Sequence, residues 1–192
     1  MKKIVALLVF VMLIYMCVSP AISENEKSIS LKDYYFTKAN IWYEKPESIL
    51  SVNWHLGAIL PVGTRVIIVR RSGNEIKFRN IAGADFTLIN AVKYSTINLE
   101  KLFNQYFSKE DVTGEGCIIS KFTKEEQENI KNGTIAEGMS KEAVLMAWGY
   151  PPSHRTPNLV VDLWTYWENR LVRHLVYFSN NKVTKIERTK RP

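Results

Sequence analysis

The sequence predicts an α+β protein with two parts: a β-rich meander or small barrel with one helix, then two helices packed on a three-stranded antiparallel sheet. Three observations lead to this prediction. β-branched and aromatic residues alternate on both sides of a turn at Gly73. An apolar stripe at helical spacing follows Asn98. Two capped helices and three hairpin-linked strands follow Thr123.

The N-terminal part is predicted from its turns and its strand composition. Residues 64–70 and 75–79 are rich in β-branched side chains and flank the turn at Gly73, which predicts a hairpin. A second turn at Gly83 leads into residues 86–89, so the region is predicted to be a meander. This pattern loosely resembles a small β-barrel of the Src-homology-3 type.

One helix is predicted to close the N-terminal part. Asn98 is a favourable N-cap, because its side chain can accept a hydrogen bond from an otherwise unpaired amide of the first turn. The apolar residues after it fall on one helix face, namely Leu99, Leu102, Phe103, Tyr106 and Phe107. Such a stripe usually packs on the sheet of the same protein, so we expect it to belong to the core.

The C-terminal part carries clear signals for helix starts and stops. Thr123 and Glu126 have the spacing of a capping box, and Gly133 is placed to end that helix. Ser140 is the predicted N-cap of a second helix, which Gly149 ends before a pair of prolines. Two short helices are therefore predicted in succession.

Three strands are predicted after these helices. They cover residues 163–167, 171–178 and 183–188, and the residues between them suit tight hairpins. Antiparallel strands that follow a run of helices favour a layered arrangement, with both helices on one face of the sheet.

Several residues of the C-terminal part form a known pattern of glycines, caps and aromatic strand residues. They are Ile130, Gly133, Thr134, Gly138, Met139, Ser140, Val144, Trp148, Gly149, Pro151, Asp162, Trp164, Tyr166, Val176, Phe178, Asn180, Lys182 and Val183. Over residues 118–187 the sequence resembles the BamE-like (SmpA/OmlA) family of small envelope proteins. The resemblance implies two helices on a three-stranded sheet, an envelope location, and binding or scaffolding more than catalysis.

Two departures from the simplest members of that family weaken the transfer of a specific role in outer-membrane assembly. One is the additional β-rich part, and the other is the atypical lipidation motif described below. The two-helix, three-strand unit also resembles the repeat of β-lactamase inhibitory proteins. That second resemblance implies, as an alternative function, inhibition of an extracellular or periplasmic enzyme.

The N-terminal residues predict export. Two lysines precede an apolar run at residues 4–18, and the small residues Ala21 and Ser23 suit cleavage before Glu24. An uncleaved membrane anchor is the less favoured alternative, because the apolar run at residues 4–18 is shorter than the about 20 residues that a membrane-spanning helix needs. The predicted division of the chain is a signal peptide at 1–23, a flexible leader at 24–30, a β-rich domain at 31–115 and a BamE-like domain at 116–192.

The two cysteines have different predicted states. Cys17 lies at the end of the apolar run, where bacterial lipoproteins carry a lipidated cysteine, but bulky Tyr15 and Met16 stand where small residues are expected. Lipidation of Cys17 is therefore the less favoured alternative, which would make the chain a lipoprotein. Cys117 is left as a single thiol after cleavage, so no internal disulfide can form, and burial is its favoured state.

The charge balance indicates which partners are favoured. The formal net charge is +7, which favours anionic lipid head groups or glycans over neutral partners. The candidates for such an anionic surface lie on the first hairpin and are Arg65, Arg70, Arg71, Lys77 and Arg79. A solvated strand edge is the alternative interpretation of these side chains.

No reactive centre is predicted. His55, His154 and His174 are far apart in the sequence, and no His or Cys pair has the spacing of metal ligands. We therefore predict no metal, no cofactor and no catalytic residue. A thiol nucleophile at Cys117 with His154 or His174 as its base is the third alternative for function.

Aromatic residues supply the second set of candidates. The chain has more large rings than two small cores can hold, and tryptophan is favoured at binding surfaces. The preferred partner-binding residues are Trp148, Tyr150, Pro151, Pro152, Trp164 and Tyr166. The predicted function is that of an exported, non-enzymatic binding or scaffolding protein that contacts other envelope proteins, with no nucleic acid and no small-molecule substrate.

Overall fold

The computed structural model describes residues 34–114 and 116–190. The predicted signal peptide, the predicted flexible leader and Cys17 lie outside these residues. The described residues form one compact unit. The predicted boundary between two domains near residue 115 stays a prediction.

The described chain alternates between short strands and three α-helices. The strands are β1 (Tyr34–Thr37), β2 (Ile41–Tyr43), β3 (Ile49–Leu50), β4 (Ala58–Leu60), β5 (Arg65–Ser72), β6 (Glu75–Asn80), β7 (Asp85–Ile89), β8 (Phe107–Ser108), β9 (Leu163–Trp167), β10 (Val172–Ser179) and β11 (Lys182–Lys190). The helices are α1 (Leu99–Tyr106), α2 (Lys124–Asn132) and α3 (Lys141–Trp148), and a 3₁₀ turn covers Ile118–Lys121.

The largest sheet has six strands in the order β3-β7-β6-β5-β1-β8 and is curled. Its centre is the meander β5-β6-β7, whereas β3 joins β7 in parallel and β8 joins β1 antiparallel. Side chains along β6 alternate between the two faces, so Ile76 and Phe78 are fully buried while Lys77 is exposed. The buried face of this sheet packs against α1 in the first hydrophobic core.

Two smaller sheets complete the fold. Strands β2 and β4 form an antiparallel pair, and β9, β10 and β11 form an antiparallel sheet in the order β11-β10-β9. Asn180 and Asn181 connect β10 to β11 with φ angles of 49° and 63°. Two successive positive φ angles are the geometry of the tight turn that matches strand twist, and asparagine tolerates it well.

The helix caps predicted from the sequence are confirmed. The Asn98 side chain accepts a hydrogen bond from the amide of Lys101, and Thr123 and Glu126 form both bonds of the capping box. Glu126 also accepts a bond from the backbone amide of Ser140 at 2.7 Å, which ties the start of α2 to the start of α3. Burial opposes ionisation of Glu126, but the amides of Ser140 and Thr123 lower its pKa to about 2.

Buried Asn40 connects the two halves of the chain. Its Nδ2 donates to the carbonyl of Ile130 at 2.7 Å and to that of Ala147 at 3.0 Å. Its Oδ1 accepts from the amide of Val62 at 2.8 Å, and its own amide donates to the carbonyl of Met146. The side chain therefore satisfies the carbonyl ends of α2 and α3 from the N-terminal half of the chain.

Gly149 marks a second close contact between the halves. It ends α3 with φ 70°, and a Cβ atom there would lie 2.5 Å from Nδ2 of Asn53 and 3.1 Å from Oη of Tyr106. The Nδ2 atom of Asn53 donates to the carbonyl of Trp148, one residue earlier. Only glycine fits this position, since any side chain would push the two halves apart.

The predicted fold class is wrong. The chain is strand-rich, with 36% strand against 19% helix, and its main element is the six-stranded curled sheet accompanied by two other sheets. The predicted BamE-like unit of two helices on a three-stranded sheet is not the architecture. Residues of α2, α3 and β9–β11 do share the second core, but Val62 and Val112 also pack against it, and Asn40 bonds both helix ends.

The described helices are all short. Among residues 34–114 and 116–190, none of them has the length and apolar character that crossing a membrane requires.

Candidate functional site

The predicted partner-binding residues are largely enclosed. Trp164 and Tyr166 are fully buried in the second core, and Pro151 and Pro152 are also buried. Their polar groups are used internally, since the Trp164 indole donates to the carbonyl of Val161 and the Tyr166 hydroxyl donates to that of Gly149. Burial also raises the pKa of Tyr166 well above its ordinary value.

Trp148 and Tyr150 are the half-buried members of that set. The Trp148 indole donates to the carbonyl of Gly133 at 3.0 Å, and the Tyr150 ring lies edge-on to Tyr106 at 5.7 Å between centroids. Both side chains therefore serve the packing of the fold. Their role in binding a partner stays a prediction.

The predicted anionic-surface residues Arg65, Arg70, Arg71, Lys77 and Arg79 are all exposed, but three of them are neutralised. The ion pairs are Arg71 with Glu100 at 3.2 Å, Lys77 with Glu75 at 3.7 Å, and Arg79 with Asp85 at 2.7 Å. Arg79 holds Asp85 with two hydrogen bonds, and these lower the pKa of the Asp85 carboxyl. The hairpin is therefore less positive than its sequence indicates.

Two histidines distant in sequence meet around one indole ring. His55 lies 4.3 Å and His174 lies 5.0 Å from Trp148, measured between ring centroids. Nε2 of His55 contacts the carbonyl oxygen of Trp148 at 3.0 Å. Because a carbonyl only accepts, Nε2 carries the hydrogen and Nδ1 is the lone-pair atom. Burial lowers the pKa of His55 to about 3, so its ring is neutral at ordinary pH.

His174 belongs to a charge-paired group on the same side of the fold. Its Nε2 lies 3.0 Å from a carboxylate oxygen of Glu168, which Arg188 holds with two hydrogen bonds of 2.7 and 2.8 Å. The hydrogen bond from Arg188 is the main cause that lowers the pKa of Glu168 to about 2. Desolvation lowers the pKa of His174. These groups form an internal network, and no nucleophile bonds to either imidazole among the described residues.

Cys117 is a free thiol and half-buried. In the described part of the chain, no group of three or more His, Cys, Asp or Glu side chains is placed to hold a metal ion.

A cleft of about 400 Å³ lies beside the two-stranded sheet. Trp42 from β2 and Trp54 from the loop before β4 line it, together with Leu50 and Leu56. Arg170, in the turn between β9 and β10, closes one side and holds its guanidinium carbon 5.9 Å from the centre of the Trp54 ring. The indole nitrogens of both tryptophans are shielded and have no hydrogen-bond partner among the described atoms.

A small basic depression adjoins this cleft, and Arg170 lines both. Arg155 and Arg173 line the depression, and Trp167 forms its aromatic wall. The Trp167 ring is fixed at 5.0 Å from that of His154 by an edge-on contact. We call the cleft and the depression together the Trp–Arg surface.

Three of the five hairpin cations have a carboxylate partner, whereas none of the cations of the Trp–Arg surface has one among the described residues. In residues 34–114 and 116–190, no carboxylate lies within 4.0 Å of Lys45, Arg155, Arg170 or Arg173. Glu44 is the one acidic side chain that lines either hollow. Arg173 donates one hydrogen bond, from Nε to the Thr189 hydroxyl at 3.2 Å. The exposed Arg155 and Arg170 thus present guanidinium groups without an ion pair beside partly buried tryptophan rings.

A wider depression of about 600 Å³ lies over α2 and offers a comparison. Lys124 and Lys131 line it, but Glu128 lies between them on the same helix, and no aromatic ring contributes to its wall. The Trp–Arg surface is thus the better candidate site, because it joins large rings to unpaired cations.

Sequence reasoning missed this surface. Trp54 and Arg170 are more than a hundred positions apart, and nothing in either local pattern indicates that they meet. No family model, no curated protein and no solved structure matches this chain. Membership of the BamE-like family therefore stays a prediction.

Proposed function

We propose that this chain is an exported, non-enzymatic binding protein of the cell envelope that holds an anionic partner on its Trp–Arg surface. One observation carries the proposal: the arginines of that surface lack carboxylate partners among the described residues, whereas Arg71, Arg79 and Arg188 each have one. A carboxylate or phosphate of a partner can bond a guanidinium through two parallel hydrogen bonds.

The state of the other ionisable groups supports binding over catalysis. His55 is held neutral under Trp148, and Glu168 is occupied by Arg188 and His174. Groups committed to internal bonds in this way stabilise the fold and are unsuited to exchange protons with a substrate.

Export remains part of the proposal because of the N-terminal signal pattern at residues 1–23. Anionic groups are abundant on envelope glycans, lipids and proteins, so a basic aromatic surface has suitable partners there. The alternative of an enzyme inhibitor rested on the two-helix, three-strand unit, and it loses that basis with the corrected fold.

The test is co-sedimentation of the purified protein with isolated cell envelopes at increasing salt. The protein is purified from cells that express the full chain, and wild type is compared with Arg170→Gln and Arg79→Gln. Arg79 is the matched control, because it is also exposed but already paired with Asp85. We expect wild type and Arg79→Gln to sediment, and Arg170→Gln to remain in solution.

Binding to envelopes that resists high salt would contradict the proposal, because contacts between exposed charges weaken as salt screens them. Equal sedimentation of Arg170→Gln and Arg79→Gln would contradict it as well. In that case the charge of the Trp–Arg surface would have no special part in binding.

A further inference from the structure

We infer that the ligand of the Trp–Arg surface is an acidic oligosaccharide, a chain of sugar rings that carry carboxylate or other anionic groups. This inference rests on the proposed function and names the ligand class for the same site. It goes beyond that proposal, which requires only an anionic partner and would also be met by a membrane or an acidic protein.

Two indole rings lie together in the cleft. Trp42 and Trp54 both line the hollow, and both side chains are only partly buried. An indole offers a flat apolar face, and the C–H faces of pyranose rings pack well against such faces. Leu50 and Leu56 extend the apolar wall, while Ser48 and Lys45 supply polar groups for hydroxyls.

The size of the cleft also suits a short oligosaccharide. The cleft of about 400 Å³ falls in the range of about 300–1,000 Å³ that small-molecule sites occupy. A single turn of an α-helix with its side chains, about 10–12 Å wide and about 5.4 Å long, already occupies more than this volume. A short run of sugar rings is a suitable occupant.

The arginines extend from the cleft into the depression, which suits a ligand with several anionic groups. Arg170 stands between the cleft and the basic depression, and Arg155 and Arg173 continue the positive charge away from the cleft. A ligand with one anionic group would use one of these arginines. A chain with repeated anionic groups would contact several of them while its first rings lie on Trp54.

A membrane fits these observations less well. Binding to a bilayer surface needs several apolar side chains that enter it beside the basic residues. Among the residues that line the cleft and the depression, Leu171 is the one large apolar side chain that is strongly exposed, at 69%. One leucine is a weak anchor.

The experiment is a calorimetric titration of the protein with oligogalacturonate, and with a neutral galacto-oligosaccharide of equal length. The variants are Arg170→Gln and Trp54→Leu, and Arg79→Gln is the control; the melting temperature of each shows that it is folded. Vesicles of phosphatidylcholine with phosphatidylglycerol form a separate arm. We expect Arg170→Gln to weaken oligogalacturonate binding at least about tenfold, which is about 1.4 kcal/mol. Trp54→Leu is expected to weaken it about threefold to tenfold.

The outcomes separate this inference from the proposed function. If envelopes retain the protein through Arg170 but oligogalacturonate does not bind, the glycan inference is wrong and the proposed function stands. If the vesicles bind and oligogalacturonate does not, the ligand is a lipid surface and the inference is again wrong. Equal binding of the neutral sugar, or equal loss in Arg79→Gln and Arg170→Gln, also overturns it. If neither envelopes nor any of these probes bind, both proposals fail.

Discussion

Mild acid should destabilise this protein through His55. The ring is neutral in the fold because burial lowers its pKa from 6.5 to about 3. Its Nε2–H donates to the carbonyl of Trp148, and Nδ1 is shielded from solvent with no partner among the described atoms. A proton added at Nδ1 would therefore bring a charge into a site that has no acceptor for it.

The magnitude follows from proton linkage. The unfolded chain takes up a proton as the pH falls below 6.5, whereas the folded chain does not do so until the pH is near 3. The stabilisation from neutral His55 is thus complete above pH 6.5 and is lost towards pH 3. Well inside this window each pH unit costs about 1.4 kcal/mol. The interval from 6.5 to 4.5 costs about 2.3 kcal/mol, because the unfolded chain is only half protonated at pH 6.5. Glu126 and Glu168 act in the same direction only below their ordinary pKa of 4.5.

The assay is urea unfolding of wild type and His55→Gln at pH 6.5, 5.5 and 4.5. Glutamine keeps an N–H donor for the Trp148 carbonyl but does not titrate. Desolvation also lowers the pKa of His154 and His174, and both proteins share that contribution. We expect the stability advantage of wild type to shrink by about 1.0 kcal/mol from pH 6.5 to 5.5 and by about 1.3 kcal/mol from pH 5.5 to 4.5. Parallel pH dependences in the two proteins would refute the reasoning.

Three further outcomes are expected. Gly149→Ala should destabilise the fold by about 3 kcal/mol or more in chemical denaturation, because a methyl group meets two side chains there. Gly73→Ala should lower the free energy of unfolding by only about 1–2 kcal/mol, because its Cβ has open space and only its positive φ opposes a side chain. Equal losses of stability in Gly149→Ala and Gly73→Ala would contradict the account. Asn40→Asp should lower the free energy of unfolding by about 3 kcal/mol or more, since a carboxylate cannot donate to the two carbonyls that Asn40 bonds. The control is the exposed Asn158→Asp, which keeps an acceptor for the Val160 amide and should change stability by less than about 0.5 kcal/mol. The intact mass of the exported protein should correspond to a chain that begins at Glu24, and an uncut mass would contradict cleavage.

The local elements could be predicted from the sequence because their causes are local. The capping box of Thr123 and Glu126 and the turn at Asn180 and Asn181 depend on residues within a few positions of one another. Caps and tight turns impose their backbone conformation whatever the rest of the chain does. This is why the helix starts and the hairpins were predicted well.

The assembly could not be predicted because its causes are distant in sequence. Strand β3 pairs with β7 in parallel and places Ile49 beside Leu88. No turn residue in the sequence predicts this pairing, because the two strands are not joined by a hairpin. Asn40 gave no sequence signal, yet its bonds to Ile130 and Ala147 connect the two regions that were predicted as separate domains. Asparagine is usually a turn or surface residue, so its place in the interior is visible only in the structure.

The candidate site shows the same limit. The hairpin arginines predicted a basic surface because they are close together in sequence. In the fold, Glu100 of α1 forms an ion pair with Arg71 and so reduces the positive charge of the hairpin. Arg155, Arg170 and Arg173 are scattered over two loops and a strand, and only folding brings them together beside a tryptophan cleft. Sequence clusters of charge are therefore a poor guide to unpaired charge.

The central claim is that ligands bind at the Trp–Arg surface, and the five tryptophans allow a direct test of it. Each indole N–H gives one signal in a nitrogen–proton correlation NMR spectrum, and single substitutions assign the signals. On addition of a soluble polyanion, either oligogalacturonate or polyphosphate, the signals of Trp42 and Trp54 should move while that of fully buried Trp164 stays in place. Equal movement of the Trp164 signal, or no movement with either polyanion, would contradict the account.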